Sequence, residues 1–138
     1  SEATVRPRPV GRPRAILYEP DPAILRASLV EHLATALNAA LLDPTIAYLT
    51  ADDFVATPFA RAWRVIEDGP FNRKALNRRL RALDAEVVAV KKRGSPIEPE
   101  QFRKQLTSAP GGRPVTVFVT RVEGRPWMIL AAEIERTK

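Results

Sequence analysis

Cysteine is absent from the 138 residues, which excludes disulfides, thiolate nucleophiles and cysteine-ligated zinc together. One histidine is present, His32. A lone imidazole has no second histidine or thiol with which to hold a metal or form a Cys–His pair. Its place beside an apolar helical stripe makes it a surface or core-edge residue. No apolar run approaches the ~20 residues needed to cross a bilayer. Residues 1–14 (SEATVRPRPVGRPR) lack the apolar centre of a secretory signal. No membrane partner is expected, and a chain without cysteine suits a reducing cytoplasm.

Glycine is sparse as well. Gly11, Gly69, Gly94, Gly111, Gly112 and Gly124 form neither GxGxxG after a strand nor GxxxxGKS/T, so no nucleotide or methyl-donor loop is legible. The neighbouring carboxylates Asp52-Asp53 and Glu67-Asp68 would point to opposite faces of a strand. Turn and capping roles suit them better than a shared acid–base dyad. The chain by itself therefore reads as non-catalytic, with no cofactor and no metal of its own. Aromatic residues make up 7% of the chain, too few for a reader that stacks many single-stranded bases. Phe71, Phe118 and Trp127 are assigned to the core, leaving Phe102 as the candidate exposed stacker.

What the chain does have is charge, unevenly spread. The formal net charge is +6. Residues 1–14 carry +3, residues 15–70 carry −5, residues 71–105 carry +6 and residues 106–138 carry +2. A short strongly basic block beside an acidic half points to an anionic partner. The 1–14 segment alternates arginine and proline and reads as an interdomain linker or tail, leaving 15–138 as one domain.

The pattern predicts an α+β domain: a mixed sheet with about three helices packed on it, ending in an antiparallel hairpin. RAILYE (14–19) reads as a strand. Asp21-Pro22 opens a helix whose Leu25, Leu29, Leu33 and Leu37 recur every four residues to about Asn38, closed by LLDP. Residues 45–58 show no sustained period. FARAWRVIE (59–67) reads as a strand stopped by Asp68-Gly69-Pro70. A second helix spans Asn72 to about Leu83, with Leu76, Leu80 and Leu83 on one side and Lys74, Arg78 and Arg81 opposite. Residues 86–92 are apolar on both faces and so are expected as a central strand. A short third helix covers Pro99 to about Leu106. VTVFVTRV and WMILAAEI form a hairpin around Glu123-Gly124. Strand–helix–strand units favour parallel neighbours with right-handed crossovers.

Binding of phosphates needs cations. Lys91, Lys92 and Arg93 end the strand VVAVKK, and Arg73, Lys74, Arg78, Arg79 and Arg81 line the preceding helix, whose start the strand end should approach. Gly94 would let backbone come close to a phosphate. Recognition by shape and phosphate position fits structured RNA.

Six segments occur here in the order of one family: LYEPDPAILRASLVEHLA (17–34), LLDPTIAYLT (41–50), PFARAWRV (58–65), KALNRRLRAL (74–83), VKKRG (90–94) and VTVFVTRVEGRPWMIL (115–130). From Ile16 to Ile134 the chain resembles the THUMP-like domain at the C-terminal end of bacterial class I S-adenosylmethionine-dependent methyltransferases. That resemblance implies a methyl-donor-binding domain preceding this one in the same polypeptide, holding the S-adenosylmethionine that this chain lacks a loop for. It also implies a role in binding tRNA or rRNA. No catalytic residue carries over; Lys91, Lys92, Arg93 and Gly94 fall within a matched segment. The alternative is a structural module that packs on the catalytic domain without touching RNA.

Overall fold

A computed structural model describes residues 11–135. Its elements are β1 (Ile16–Pro20), α1 (Pro22–Arg26), α2 (Val30–Leu37), β2 (Ala40–Asp43), β3 (Ile46–Ala51), β4 (Ala60–Pro70), α3 (Arg73–Ala82), β5 (Ala85–Lys92), α4 (Pro99–Arg103), β6 (Arg113–Val122) and β7 (Arg125–Ile134). The strands form one seven-stranded sheet in the order β2-β3-β1-β4-β7-β6-β5. Every neighbouring pair is antiparallel apart from β5 and β6, which run parallel across the α4 crossover. The mixed α+β sheet is thus as read from the sequence. So is the closing hairpin, whose turn residues Glu123 and Gly124 both take positive φ, 52° and 79°. No helix among the described residues is long and apolar enough to cross a membrane.

Five details differ from the sequence reading. The first helix is two: Ser28 adopts φ 56°, ending α1, and Leu29 of the expected stripe is left 40% exposed. The LLDP segment is not a helix end but β2, paired with β3. Asp43 makes that tight turn by accepting hydrogen bonds from the Thr45 amide (2.9 Å) and hydroxyl (2.7 Å). β4 runs on through Asp68-Gly69-Pro70, because Trp127, Met128 and Ile129 of β7 pair with those residues. Moreover, β5 is an edge strand rather than a central one. Its second apolar face is not buried: Val88 is 47% exposed. The outward backbone groups of its first half are capped instead, by the Ser108 hydroxyl on Val87 N (2.8 Å), the Arg103 guanidinium on Val87 O (2.9 Å) and Ala109 N on Ala85 O (2.8 Å). β4, α3 and β5 do not form a neighbouring parallel pair, since β7 and β6 lie between the strands.

The helices α2, α3 and α4 all pack on one side of the sheet. There α2 sets Leu33 and Leu37 against Ile16, Tyr18 and Leu49, while α3 and α4 set Leu76, Leu80 and Phe102 against Val115, Val117, Val119 and Leu130. The other side carries no helix among the described residues, yet Leu17, Tyr48, Trp63, Phe118 and Ile129 there are 0% exposed. The sheet buries them by coiling until β2 reaches β6. Glu123 N donates to Leu42 O (3.3 Å), Gly124 N to Asp43 Oδ2 (2.8 Å) and Arg121 Nη2 to Thr45 Oγ1 (2.9 Å). Inside this half-barrel Tyr48 and Trp63 meet Phe118 edge-on, at 5.4 and 4.9 Å between ring centres. Such pairs contribute roughly 0.5–1.5 kcal/mol beyond their buried area.

Asp43 closes the seam, and its protonation matters. Burial alone would raise its pKa, but the Thr45 amide and hydroxyl, the Gly124 amide and the Arg121 charge outweigh burial and hold it below the usual value. The folded pKa lies under the unfolded one, so the carboxylate adds stability above about pH 4 that is lost as pH falls through the folded value. The urea midpoint of the wild-type chain should therefore drop between pH 5 and pH 3 more steeply than that of Asp43→Asn. Parallel pH profiles for the two proteins would remove Asp43 from the seam's acid sensitivity.

Candidate nucleic-acid interface

α3 forms where the sequence places it. Asn72 caps it by accepting from Ala75 N (2.8 Å), and Leu76 and Leu80, one turn apart, are 0% exposed against the sheet. Its opposite side is basic. Five of its ten residues are cations and none is acidic. Arg79 is held by Glu67 (Nε–Oε1 2.8 Å). Arg73 donates to the Gln105 amide oxygen, and Arg81 donates to the Thr107 hydroxyl at 3.2 Å. Asn77 clamps the same segment through Gln105 O (3.0 Å) and Thr107 N (2.7 Å). Lys74 and Arg78 are exposed and meet no carboxylate among the described residues. Four of the five helix cations thus meet no acid among the described residues.

The Lys91-Lys92-Arg93 run does not act as a unit, because successive strand residues point to opposite faces. Lys91 aligns with Phe118 on the inner side, and Lys92 aligns with Val119 on the helix-bearing side. Lys91 reaches across the half-barrel mouth to Glu19 (Nζ–Oε1 3.1 Å) and passes over the Trp63 ring at 5.8 Å. Arg93 joins the same carboxylate (Nη2–Oε2 3.6 Å) over the Tyr48 ring at 5.7 Å. The Glu19 side chain is 14% exposed. Burial, with the nearby Glu19 charge, keeps the Tyr48 hydroxyl well above its usual pKa and hence neutral. Lys92 stands exposed on the α3 side with no ionic partner among the described residues. Of the nine residues singled out, the structure leaves Lys74, Arg78 and Lys92 exposed without an ionic partner among the described residues and pairs Arg79 with Glu67. It ties Arg73 and Arg81 to the 105–107 segment and Lys91 and Arg93 to Glu19.

Gly94 has a packing reason. Its φ is +73°, and a Cβ would lie 2.5 Å from Ile46 Cδ1. Phe102, expected as an exposed stacker, is 6% exposed and packs 5.7 Å from Phe71, because the short α4 turns it inward onto the α3 side of the core. The exposed aromatics are instead Phe54 and Phe59, 40% and 53% exposed. Phe118 and Trp127 are core, as assigned, and His32 is exposed. Asp52 pairs with Arg14 at 3.7 Å, and among the described residues no three His, Cys, Asp or Glu side chains gather into a metal site. Residues 1–10 of the 1–14 segment lie outside the described residues. Its last four are docked: Gly11 N donates to Leu41 O (3.0 Å), Arg14 N to Thr50 Oγ1 (2.7 Å), and Arg12 lies 5.5 Å over Trp127.

Residues 60–133, which run from the start of β4 to the penultimate residue of β7 and contain α3 and the β5 run, match the family described as THUMP domain-like. Proteins from two strains of Mycobacterium tuberculosis, each named an uncharacterized S-adenosylmethionine-dependent methyltransferase, are 35% identical over 115 residues, covering 83% of this chain. The chain spans about 30% of the length of these curated relatives. A crystal structure of a "putative methyltransferase" from Porphyromonas gingivalis shares the fold, with a TM-score of 0.74 over 94% of this chain and 31% of that one, at 23% identity. The order of elements, the coiled mixed sheet and the sequence match together make this chain a member of the THUMP domain-like family.

Proposed function

We propose that the chain is the non-catalytic, substrate-holding part of a longer S-adenosylmethionine-dependent methyltransferase, and that it holds structured RNA against the outer side of α3 and the end of β5. The observation that carries this reading is α3: five cations in ten residues, no acid, and four of the five facing no carboxylate among the described residues. A solvated helix needs no such excess, and helices kept for solubility commonly interleave both signs. Lys74, Arg78 and Lys92 supply the direct phosphate contacts, while Arg73 and Arg81 shape the adjoining 105–107 segment. Lys91 and Arg93 contribute field rather than contact, because Glu19 already holds them. Gly94 sets the course of the chain behind them. The methyl donor belongs to the rest of the relatives' length, since no glycine-rich phosphate or donor loop is read in this one.

The test is tRNA binding across a salt series, with Lys74/Arg78/Lys92→Ala beside the wild-type chain. Each lost phosphate contact lowers the log–log salt slope by about 0.7–0.9, so the triple variant should be shallower by roughly 2–3 and weaker at every salt. Equal slopes, or no wild-type binding at low salt, would sink the proposal.

A further inference from the structure

We infer that a second surface, separate from the basic helix, is the seat of the methyltransferase part of the same polypeptide; this rests on reading the chain as one part of a longer enzyme. The surface is a groove of about 410 Å³ on the helix-bearing side of the sheet, lined by Tyr18, Phe54, Ala60, Ala62 and Ile134. The two alanines make its floor on β4, where larger side chains would fill it. One wall is Phe54, stacked 6.4 Å from the Tyr18 ring. The rim loop is pinned rather than loose, since Tyr18 Oη accepts from Val55 N (2.8 Å) and donates to Val55 O (3.2 Å). Phe54, Val55 and Phe59 nevertheless expose 40%, 41% and 53% of their surface on this one loop. Three large apolar side chains displayed together beside a preformed apolar groove mark a contact surface.

Charge and size narrow the occupant. Glu135 lines one end of the groove, and Asp53 is exposed immediately before Phe54, neither with an ionic partner among the described residues. The next outward residue of β4 on this side is Arg64, so the acidic character belongs to the Glu135 end. The fitting segment presents an apolar anchor, one or two side chains in size, followed by lysine or arginine. A groove that takes one or two side chains cannot by itself bury the ~1,200 Å² that stable association with a free protein partner needs. A tethered partner needs less, because linkage raises its effective concentration to the millimolar range. The curated relatives supply such a tethered mass, as the matched segment is 30% of their length.

Hydrogen exchange separates the outcomes. The amides of Ala56 and Thr57 donate to no group among the described residues and should exchange freely in the 138-residue chain. In the longer protein that carries this chain with its methyltransferase part, they should slow by about tenfold or more. Phe54→Ala and Asp53→Lys, made in the longer protein, should each restore fast exchange there while α3 amides stay protected, which shows that the fold persists. Equal exchange in the long and short forms overturns the docking. Slowing that appears in the short chain as its concentration rises assigns the groove to a second copy and overturns it equally. Absence of a methyltransferase part from the natural polypeptide removes the parent reading itself. No RNA is present in the experiment, so its result is independent of the α3 test.

Discussion

Trp63→Ala is expected to destabilise the chain by about 3–5 kcal/mol, the range for deleting a fully buried large aromatic. Trp63 is 0% exposed and stands at the centre of the helix-free side of the sheet. Its ring packs edge-on against Phe118, its Nε1 donates to Thr116 Oγ1 at 3.2 Å, and it supports Arg61 (4.9 Å) and Lys91 (5.8 Å) over its faces. Truncation would empty the half-barrel, leave the Thr116 hydroxyl buried and remove the platform beneath two cations. Since small domains are stable by only ~5–15 kcal/mol, a large share of the total is at stake. Urea denaturation of Trp63→Ala, followed by circular dichroism, measures it, and Trp63→Phe should recover more than half. A loss under about 1 kcal/mol would mean that the coiled side of the sheet is not packed as described.

Glu19→Ala has the second largest expected effect, with consequences for both stability and binding. Glu19 is the shared anion of Lys91 and Arg93, whose side chains are themselves only 24% and 37% exposed. Removing one partner of a buried ion pair costs about 3–5 kcal/mol, and partial exposure here reduces that to roughly 2. The loss should couple to the cations. In a double-mutant cycle with Lys91→Ala, the interaction between the two sites should reach about 1 kcal/mol, and an additive cycle would show the pair to be incidental. Glu19→Gln keeps the shape and releases the charges. If the outer cations hold RNA, the freed Lys91 and Arg93 should steepen the salt slope of tRNA binding by about 0.7 or more.

Local rules made part of this legible. Asn72 followed by Leu76 and Leu80 is a cap and a stripe, and α3 stands where they place it. Glu123-Gly124 between two apolar strand-like runs is a turn signal, and the β6–β7 hairpin follows. What local rules missed was set by distant partners. The four-residue leucine repeat from Leu25 to Leu37 carries no sign of the left-handed Ser28 that splits it. The apolar run of β5 reads as a centre strand, since nothing in it says that α3 and α4 cover one face while the other stays half open. The same limit governed the candidate site. Glu19 was not singled out, because it meets Lys91 and Arg93 only once the sheet has coiled. One local signal was available: period-two alternation along β5 already separates Lys91 and Arg93 from Lys92. The groove escaped because Phe54 and Phe59 sit in a stretch with no sustained period, where exposure depends on what the loop packs against.

The capping of β5 carries a consequence for how the chain behaves among its own copies. An uncovered edge of apolar strand is a template on which another chain can pair and grow into an aggregate. Here Ser108, Arg103 and Ala109 occupy the outward groups of Ala85 and Val87, and beyond them the strand ends in Lys92, exposed and without an ionic partner among the described residues. An incoming strand meets occupied donors and acceptors first, then repelling charge. Exposed Lys92 at the strand's end therefore sets a charge against edge-to-edge pairing of copies, apart from any other contact it makes.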